Sequence, residues 1–417
     1  MNRKNGESHD VVVTGLGPIT AVGSGVDGLW EGLLAMASPI DTVASFDPSP
    51  WRTRIAAEVR GFRAGDHMEE RLARRLDRYS RFAVASVGLA LRDAGLAPDD
   101  ADPDRVAVQV GSALGGVAHA ERQVVAFLED GVRAVDPRVA LHTFCGAASC
   151  NAAIHFGFTG PNSTNAMSCA SGTIAIGDAW RLVRSGEADV AIAAGIEAPL
   201  SPLSFGAFAI IRAMSTRNED PARACRPFDS DRDGFVMGEG ACALVLERAD
   251  HAAARGARVY GEVCGYGVTN DAHHMTAPRP DGAQAARAIT RALHSAGMEA
   301  SDVDLVSAHG SSTPLNDSTE TLAIRSALGS HADRVAVFGT KPYHGHALGA
   351  SGAIEAAITL LAMARGWVPP TLNLEQPDPA CDLDYVVGEG RSTRGGVAVS
   401  NSFGFGGINA AIALRGP

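Results

Sequence analysis

The sequence predicts an α/β fold with largely buried strands, built from two similar halves. Three observations predict it. Hydrophobic residues make up 46% of the 417 residues and charged residues 20%, enough apolar surface for a large core and too little charge for a disordered chain. Short β-branched runs bounded by glycine recur at 11–14, 106–111, 190–195, 241–247, 303–308, 335–339 and 397–400, with helical patterns such as 71–94 and 283–296 between them. Finally, Ala170-Ser171-Gly172-Thr173-Ile174 returns as Ala350-Ser351-Gly352-Ala353-Ile354, and each opens an apolar helical stretch that ends at a glycine, Gly186 or Gly366. Both separations are 180 residues, so a whole βα unit is repeated, which brings two helix N-termini near one centre.

Charge narrows the function. Lys+Arg 36 against Asp+Glu 47 leaves −11, which argues against a general nucleic-acid or anionic-membrane binder, since both need a basic face. An acidic partner must therefore meet a local basic patch. The only lysines are Lys4 and Lys341; arginine supplies every other basic side chain, which singles out Lys341. Seven cysteines without a CxxC pair point to a reducing compartment. The polar start MNRKNGESHD lacks the apolar segment of a signal peptide, so a cytoplasmic protein is expected. The weakly charged stretch 198–211 holds Pro199 and Pro202 and is shorter than the ~20 residues that span a bilayer.

Taken in order, the elements carry chemistry at their ends. Gly15-Leu16-Gly17-Pro18-Ile19-Thr20 has Thr20 where a dinucleotide fingerprint needs its third glycine, so no Rossmann site is expected. The run 162–168 reads as a strand, and Cys169 then sits at a strand-to-helix turn among small neighbours. The positive end of the helix dipole there favours thiolate and predicts a lowered pKa. His309 closes the run 303–308. His346, in Lys341-Pro342-Tyr343-His344-Gly345-His346, stands directly before the second Ala-Ser-Gly turn. The glycine-rich Asn401-Ser402-Phe403-Gly404-Phe405-Gly406-Gly407 offers backbone N–H groups to a phosphate or an oxyanion. Arg71, Arg74, Arg75 and Arg78, three and four apart, form a basic stripe on a predicted helix.

With these motifs in place, the sequence resembles the condensing enzymes of the thiolase superfamily, specifically the β-ketoacyl-acyl carrier protein synthase II type, including the ketosynthase subunit of type II polyketide synthases. The likeness runs through VVVTGLG at the start, GPNSTNAMSCASG around Cys169, RPFDSDRDGFVMGEGA from Arg226, AHGSSTPLND from Ala308, TKPYHGHALGASGAIE from Thr340 and SNSFGFGGIN near the end. It implies a five-layered αβαβα fold, with residues 1–250 carrying the nucleophile and 251–417 the two histidines. It implies decarboxylative condensation of an acyl thioester held on Cys169 with malonyl-acyl carrier protein. His309 and His346 then serve decarboxylation, beside the active-site pair Lys341 and Glu355.

The resemblance further implies an oxyanion site at the backbone of Cys169 and Phe405, with Phe405 also a gate. Ser311 and Thr313 grip phosphopantetheine, Leu114 and Phe208 line the acyl pocket, and Arg71, Arg74, Arg75 and Arg212 dock an acyl carrier protein. No metal and no cofactor beyond carrier-borne phosphopantetheine is implied, and the protein is expected as a homodimer or paired with a chain-length-factor subunit.

Three rivals are weighed against this reading. A silent chain-length subunit would lack Cys169. A thiolase would want a second cysteine near the C-terminal glycine turn, where none lies. A zinc site of Cys169, His309, His344 and His346 is disfavoured because residues two apart on an extended segment point to opposite sides. Ser168, Ser311 and Pro342-Tyr343-His344 depart from the family pattern and leave the pathway, fatty-acid or polyketide, open.

Overall fold

The computed structural model describes residues 9–417, so Lys4 lies outside the described residues. Five strands form the first sheet: β1 (Val11–Thr20), β2 (Val106–Gly111), β3 (Asn162–Asn165), β4 (Val190–Glu197) and β5 (Gly240–Arg248). Their order is β1-β5-β4-β2-β3, the first two pairings antiparallel and the last two parallel. The second sheet holds β6 (Gly261–Asn270), β7 (Val303–Ser307), β8 (Ala336–Phe338), β9 (Asp384–Tyr385), β10 (Val397–Gly404) and β11 (Ile408–Arg415). It runs β6-β11-β10-β7-β8, again two antiparallel pairings and then two parallel, with β9 added at the edge. One strand order and one sequence of pairing senses therefore occur twice. The sheets join where Val12 and Val13 of β1 pair with Glu262 and Gly261 of β6.

The helices complete five layers. Helix α1 (Arg78–Ala94) packs on the outer face of β1 and β5, and α3 (Ala283–Ala296) packs in the matching place on β6 and β11, beside α4 (Pro314–Leu328). Between the sheets lie α2 (Ser171–Arg184) and α5 (Ser351–Arg365), packed on each other. Helix α5 is buried from Ser351 to Met363 because a sheet or the other helix meets each of its faces, while α2 is buried through Gly177 and turns Arg181 to solvent in its last turn. The stretch Leu348–Arg365 is apolar and long enough to cross a membrane, and it is instead this buried core helix. The layering αβαβα agrees with the expected fold.

Several elements differ from expectation. The first strand does not stop at Thr14 but continues through the glycines to Thr20. A Cβ at Gly15 would overlap the Ala90 carbonyl, and one at Gly17 the Ser86 carbonyl, so these glycines let α1 lie directly on the strand. The predicted helix 71–94 is two pieces, a short turn Glu70–Ala73 and then α1, because Asp77 adopts an extended conformation and caps α1 by accepting the Ser80 N–H at 3.1 Å. The strand expected over 162–168 ends at Asn165. Strands β6 and β11 went unread, since glycine, alanine and polar residues interrupt their β-branched pattern. All seven cysteines are free; four are buried and Cys150 is exposed.

Candidate active site

The repeated Ala-Ser-Gly turns occupy equivalent places. After β3 the chain turns at Ser168, with φ 52°, through a single 3₁₀ turn, Ser168–Ala170, into α2. After β8 it turns at Leu348, with φ 41°, through Leu348–Ala350 into α5. A non-glycine residue in the left-handed region is strained, and here both halves hold that strain at the same point. It presents Cys169, two residues before the helix begins at Ser171, to a cavity of about 370 Å³ lined also by His309, His346, Ser311, Thr313 and Phe405, with Arg212 exposed at its rim. Those residues come from both halves of the chain.

Cys169 is 7% exposed. Burial pushes its thiol up to about 11. The Ser168 hydroxyl, the Lys341 charge and the Phe405 backbone N–H pull the other way, while the Glu197 carboxylate adds to the rise. The lowered pKa expected from the helix N-terminus is thus overturned, because desolvation of a thiolate outweighs those favourable dipoles and charges. Cys169 rests as a thiol.

The two imidazoles meet edge to face, with ring centroids 5.2 Å apart. Both are fully buried, and burial, then the nearby Lys341 charge, holds each well below the ordinary histidine value, so both are neutral. Lys341 Nζ lies 3.3 Å from His309 Nδ1 and donates to the His309 carbonyl and, at 2.5 Å, to Glu355 Oε1. An ammonium only donates, so His309 Nδ1 accepts and the ring proton sits on Nε2. His346 Nδ1 is held by the Ser351 hydroxyl at 3.0 Å, in the first residue of α5. Each ring is thereby fixed through Nδ1, leaving Nε2 as the reactive edge. Burial raises Glu355 to about 7 while the Lys341 ammonium pulls it down.

Three carboxylates hold this centre in shape, and two of them escaped sequence reasoning. Glu320 accepts the N–H groups of His309 and Gly310 at 2.7 and 2.8 Å. Glu197 accepts those of Ala113, Leu114 and Gly349 at 2.6, 3.1 and 3.0 Å. Burial pushes both acids up to about 7 against those hydrogen bonds. Glu197 is a lone acid in apolar surroundings, whereas Glu320 sits in the polar run Asn316-Asp317-Ser318-Thr319-Glu320-Thr321 and gave no distinct signal. Asp317 was visible in the motif from Ala308 and accepts the Phe228 N–H at 2.9 Å.

Other predicted residues fall as follows. Ser311 and Thr313 pair through their hydroxyls at 2.9 Å in the cavity wall. Leu114 and Phe208 do not line the cavity; they pack in the apolar cluster around Cys169, where Phe208 stacks on Phe405 with centroids 6.2 Å apart. Arg71, Arg74 and Arg75 are exposed, and Arg74 is paired with Glu70 at 3.1 Å. Arg78 leaves the stripe, since it binds Glu239 at 2.6 Å and the Val59 carbonyl. His344 lies in a helical turn, Lys341–His344, rather than on an extended segment, and its Nε2 meets the Thr340 hydroxyl at 3.1 Å. No group of three or more His, Cys, Asp or Glu side chains is arranged to hold a metal ion among the described residues.

Comparison with known proteins agrees with this geometry. The model of the "Beta-ketoacyl synthase, N-terminal domain" matches residues 8–252 and that of the C-terminal domain residues 260–375. The chain is 47% identical over 411 residues to the 3-oxoacyl-acyl-carrier-protein synthase 2 of Synechocystis sp., covering 99% of each, and 40% identical to that of Coxiella burnetii, covering 98% of this chain and 99% of the relative. Among solved structures, a type II PKS acyl-carrier protein in complex with its ketosynthase superposes with TM-score 0.91 at 34% identity, covering 98% of this chain and 100% of the other. A beta-ketoacyl synthase from Burkholderia phymatum does so with TM-score 0.91 at 37% identity, with the same coverage. A cysteine and two neutral histidines facing one cavity, on a duplicated five-layered fold, accord with these likenesses: the chain belongs to the β-ketoacyl synthase family and is a condensing enzyme.

Proposed function

We propose that Cys169 takes an acyl group from a carrier-protein thioester and that His309 and His346 generate the enolate that attacks it. One observation carries the reading: Cys169 and both imidazoles face a single cavity. In the first step Cys169 sulfur bonds the acyl carbon, the pantetheine sulfur leaves, and the Cys169 proton passes to it. This exchange suits a resting thiol, because no net charge is created in a buried site. Malonyl thioester then loses CO₂, and its thioester oxygen, becoming an enolate, accepts hydrogen bonds from the Nε2–H groups of His309 and His346. Neutral imidazoles donate without needing a proton from solution. The enolate carbon bonds the acyl carbon, the oxyanion is held by the N–H groups of Cys169 and Phe405, and Cys169 thiolate is expelled and takes a proton from solvent.

Lys341 acts through His309 as a positioning residue, with Glu355 as its counter-ion. Ser311 and Thr313 bind the pantetheine arm, Phe405 gates the cavity, and the acyl chain passes from Cys169 into the apolar cluster behind the cavity wall, where Leu114 and Phe208 bound it. The carrier docks on Arg71, Arg74 and Arg75, with Arg212 at the cavity rim; their exposure on a net acidic protein supports it. No cofactor enters these steps. We read residues 1–250 as the nucleophile half and 251–417 as the histidine half, a division supported by the repeated strand order. The exposed apolar residues Val124, Val125, Phe127, Leu128 and Val132 support a dimer, with a second copy or a chain-length-factor subunit, and the free cysteines support a cytoplasmic setting.

Intact-mass spectrometry after incubation with acyl-acyl carrier protein tests the reading. It expects one acyl adduct, mapped to Cys169; a chain that takes no acyl group while Cys169 is reduced overturns it. For docking, R74E and R75E should weaken carrier binding, and unchanged affinity at low salt removes that part.

A further inference from the structure

A second cavity, of about 360 Å³, shares no lining residue with the one that holds Cys169. Six arginines line it against two aspartates, Asp77 and Asp136. Three of the six are already neutralised: Arg74 by Glu70, Arg78 by Glu239, and Arg138 by Asp136 through two hydrogen bonds of 3.0 and 2.9 Å. Asp77 is occupied as the cap of α1. Arg75, Arg81 and Arg122 have no carboxylate partner among the described residues, and they come from three separate segments: the turn before α1, α1 itself, and the helix Val117–Asp130. Unpaired guanidinium groups held around one space repel each other unless an anion sits between them.

An independent observation points to a ligand. His119 and His142 form part of the same wall, their rings edge to face with centroids 5.1 Å apart. Both are more than nine-tenths buried, yet His119 Nε2 and His142 Nδ1 have no hydrogen-bond partner. A buried ring nitrogen left unpaired is destabilising. These two nitrogens stand in the same wall as Arg75, Arg81 and Arg122, of which only the Arg81 side chain is engaged among the described residues, donating to the Ala73 carbonyl at 2.8 Å.

The geometry points to a binding site for a small multivalent oxyanion of the phosphate class, between Arg75, Arg81 and Arg122 and the His119–His142 pair. A tetrahedral phosphate offers oxygens in several directions, which suits donors arriving from three segments. A carboxylate, planar with two oxygens, would satisfy only one or two of them. This cavity shares Arg74 and Arg75 with the proposed carrier dock, and the condensation steps use none of its other residues.

Calorimetric titration of the full chain with inorganic pyrophosphate, against sodium chloride of matched ionic strength, tests the site. The expected result is saturable binding, one anion per chain, that R122Q weakens about tenfold, as loss of one charge-assisted contact predicts. Arg122 is exposed in the helix Val117–Asp130 and its side chain makes no hydrogen bond among the described residues, so R122Q leaves the fold intact. Coenzyme A separates the sources: tighter binding of coenzyme A that also falls in R122Q assigns the pocket to a phosphate carried on a larger molecule, and tighter pyrophosphate assigns it to a free anion. Absence of saturable heat beyond the matched salt, or equal pyrophosphate affinity in R122Q and the parent, overturns the proposal. An acyl adduct on Cys169 forms or fails to form independently of either outcome.

Discussion

The two strand-turn-helix units of this enzyme share a backbone and do opposite work. In the first, the strained turn at Ser168 delivers Cys169; in the second, the equivalent turn at Leu348 delivers Gly349, 180 residues on. What differs is the strand end that each turn faces. Gly349 meets Glu197, at the end of β4, whose carboxylate takes the Gly349 N–H at 3.0 Å. A Cβ on Gly349 would lie 2.5 Å from the Ala113 nitrogen and 2.8 Å from Glu197 Oε2, so the second turn has no room for a side chain. Cys169 meets Gly404, at the end of β10, where a Cβ would come within 3.1 Å of the Cys169 nitrogen. A carboxylate opposite one turn and a bare glycine opposite the other leave only the first turn's N–H open to an oxyanion. The fold repeats one corner twice, and the facing strand decides which of the two keeps an open N–H and room for a side chain.

The largest effect should come from erasing the difference. C169G, which makes the two turns alike, is expected to lower condensation at least about a thousandfold while the protein still folds. Steady-state product formation and the loss of the acyl adduct check this; retained acylation would place the nucleophile elsewhere. Removing either imidazole, H309A or H346A, should cost about a hundredfold or more in malonyl decarboxylation, as loss of an oxyanion donor does, while leaving acylation of Cys169 measurable. Equal loss of both steps would contradict the division of labour.

Giving the second turn a side chain should damage folding more than chemistry. G349A forces a methyl against Ala113 and Glu197 and is expected to cost about 1–3 kcal/mol, read from chemical unfolding. An unchanged midpoint would mean the corner relaxes freely. K341R should impair condensation about tenfold, more than it lowers stability, since a planar guanidinium does not reproduce the compact ammonium between His309 and Glu355. The smallest effect is an expected constancy. Both imidazoles are held neutral well below pH 6.5, so raising the pH through 6.5 removes no proton from them and their charge state stays constant; a change of rate towards pH 7 belongs to Glu197, Glu320 and Glu355, which burial pushes up to about 7. A fall in rate centred near 6.5 would show that an imidazolium does the work.

Much of the site was legible because its residues sit at element ends. Cys169, His309 and His346 each follow or precede a recognisable strand or turn, and Lys341 stood out against an arginine background. Glu197 and Glu320 were not legible: each acts by accepting backbone N–H groups from segments distant in sequence or folded back on it, a role that leaves no local pattern. The sign of the Cys169 shift was misread for a related reason. Its sequence position revealed the helix dipole but not the burial that outweighs it.

By itself, the amino-acid sequence determined the duplicated α/β plan, singled out Cys169, His309 and His346 as candidates at element ends, and called for a local basic patch on an acidic chain. These follow from periodicity, turn chemistry and composition, which act over a few residues. Only the tertiary structure decided that Arg78 serves Glu239 rather than the stripe, and that both histidines are neutral. It also decided that Gly15 and Gly17 lie inside a strand, and that three unpaired arginines gather around two buried imidazoles. Each of these depends on desolvation and contact between segments far apart in the chain, and those are fixed only when the layers pack.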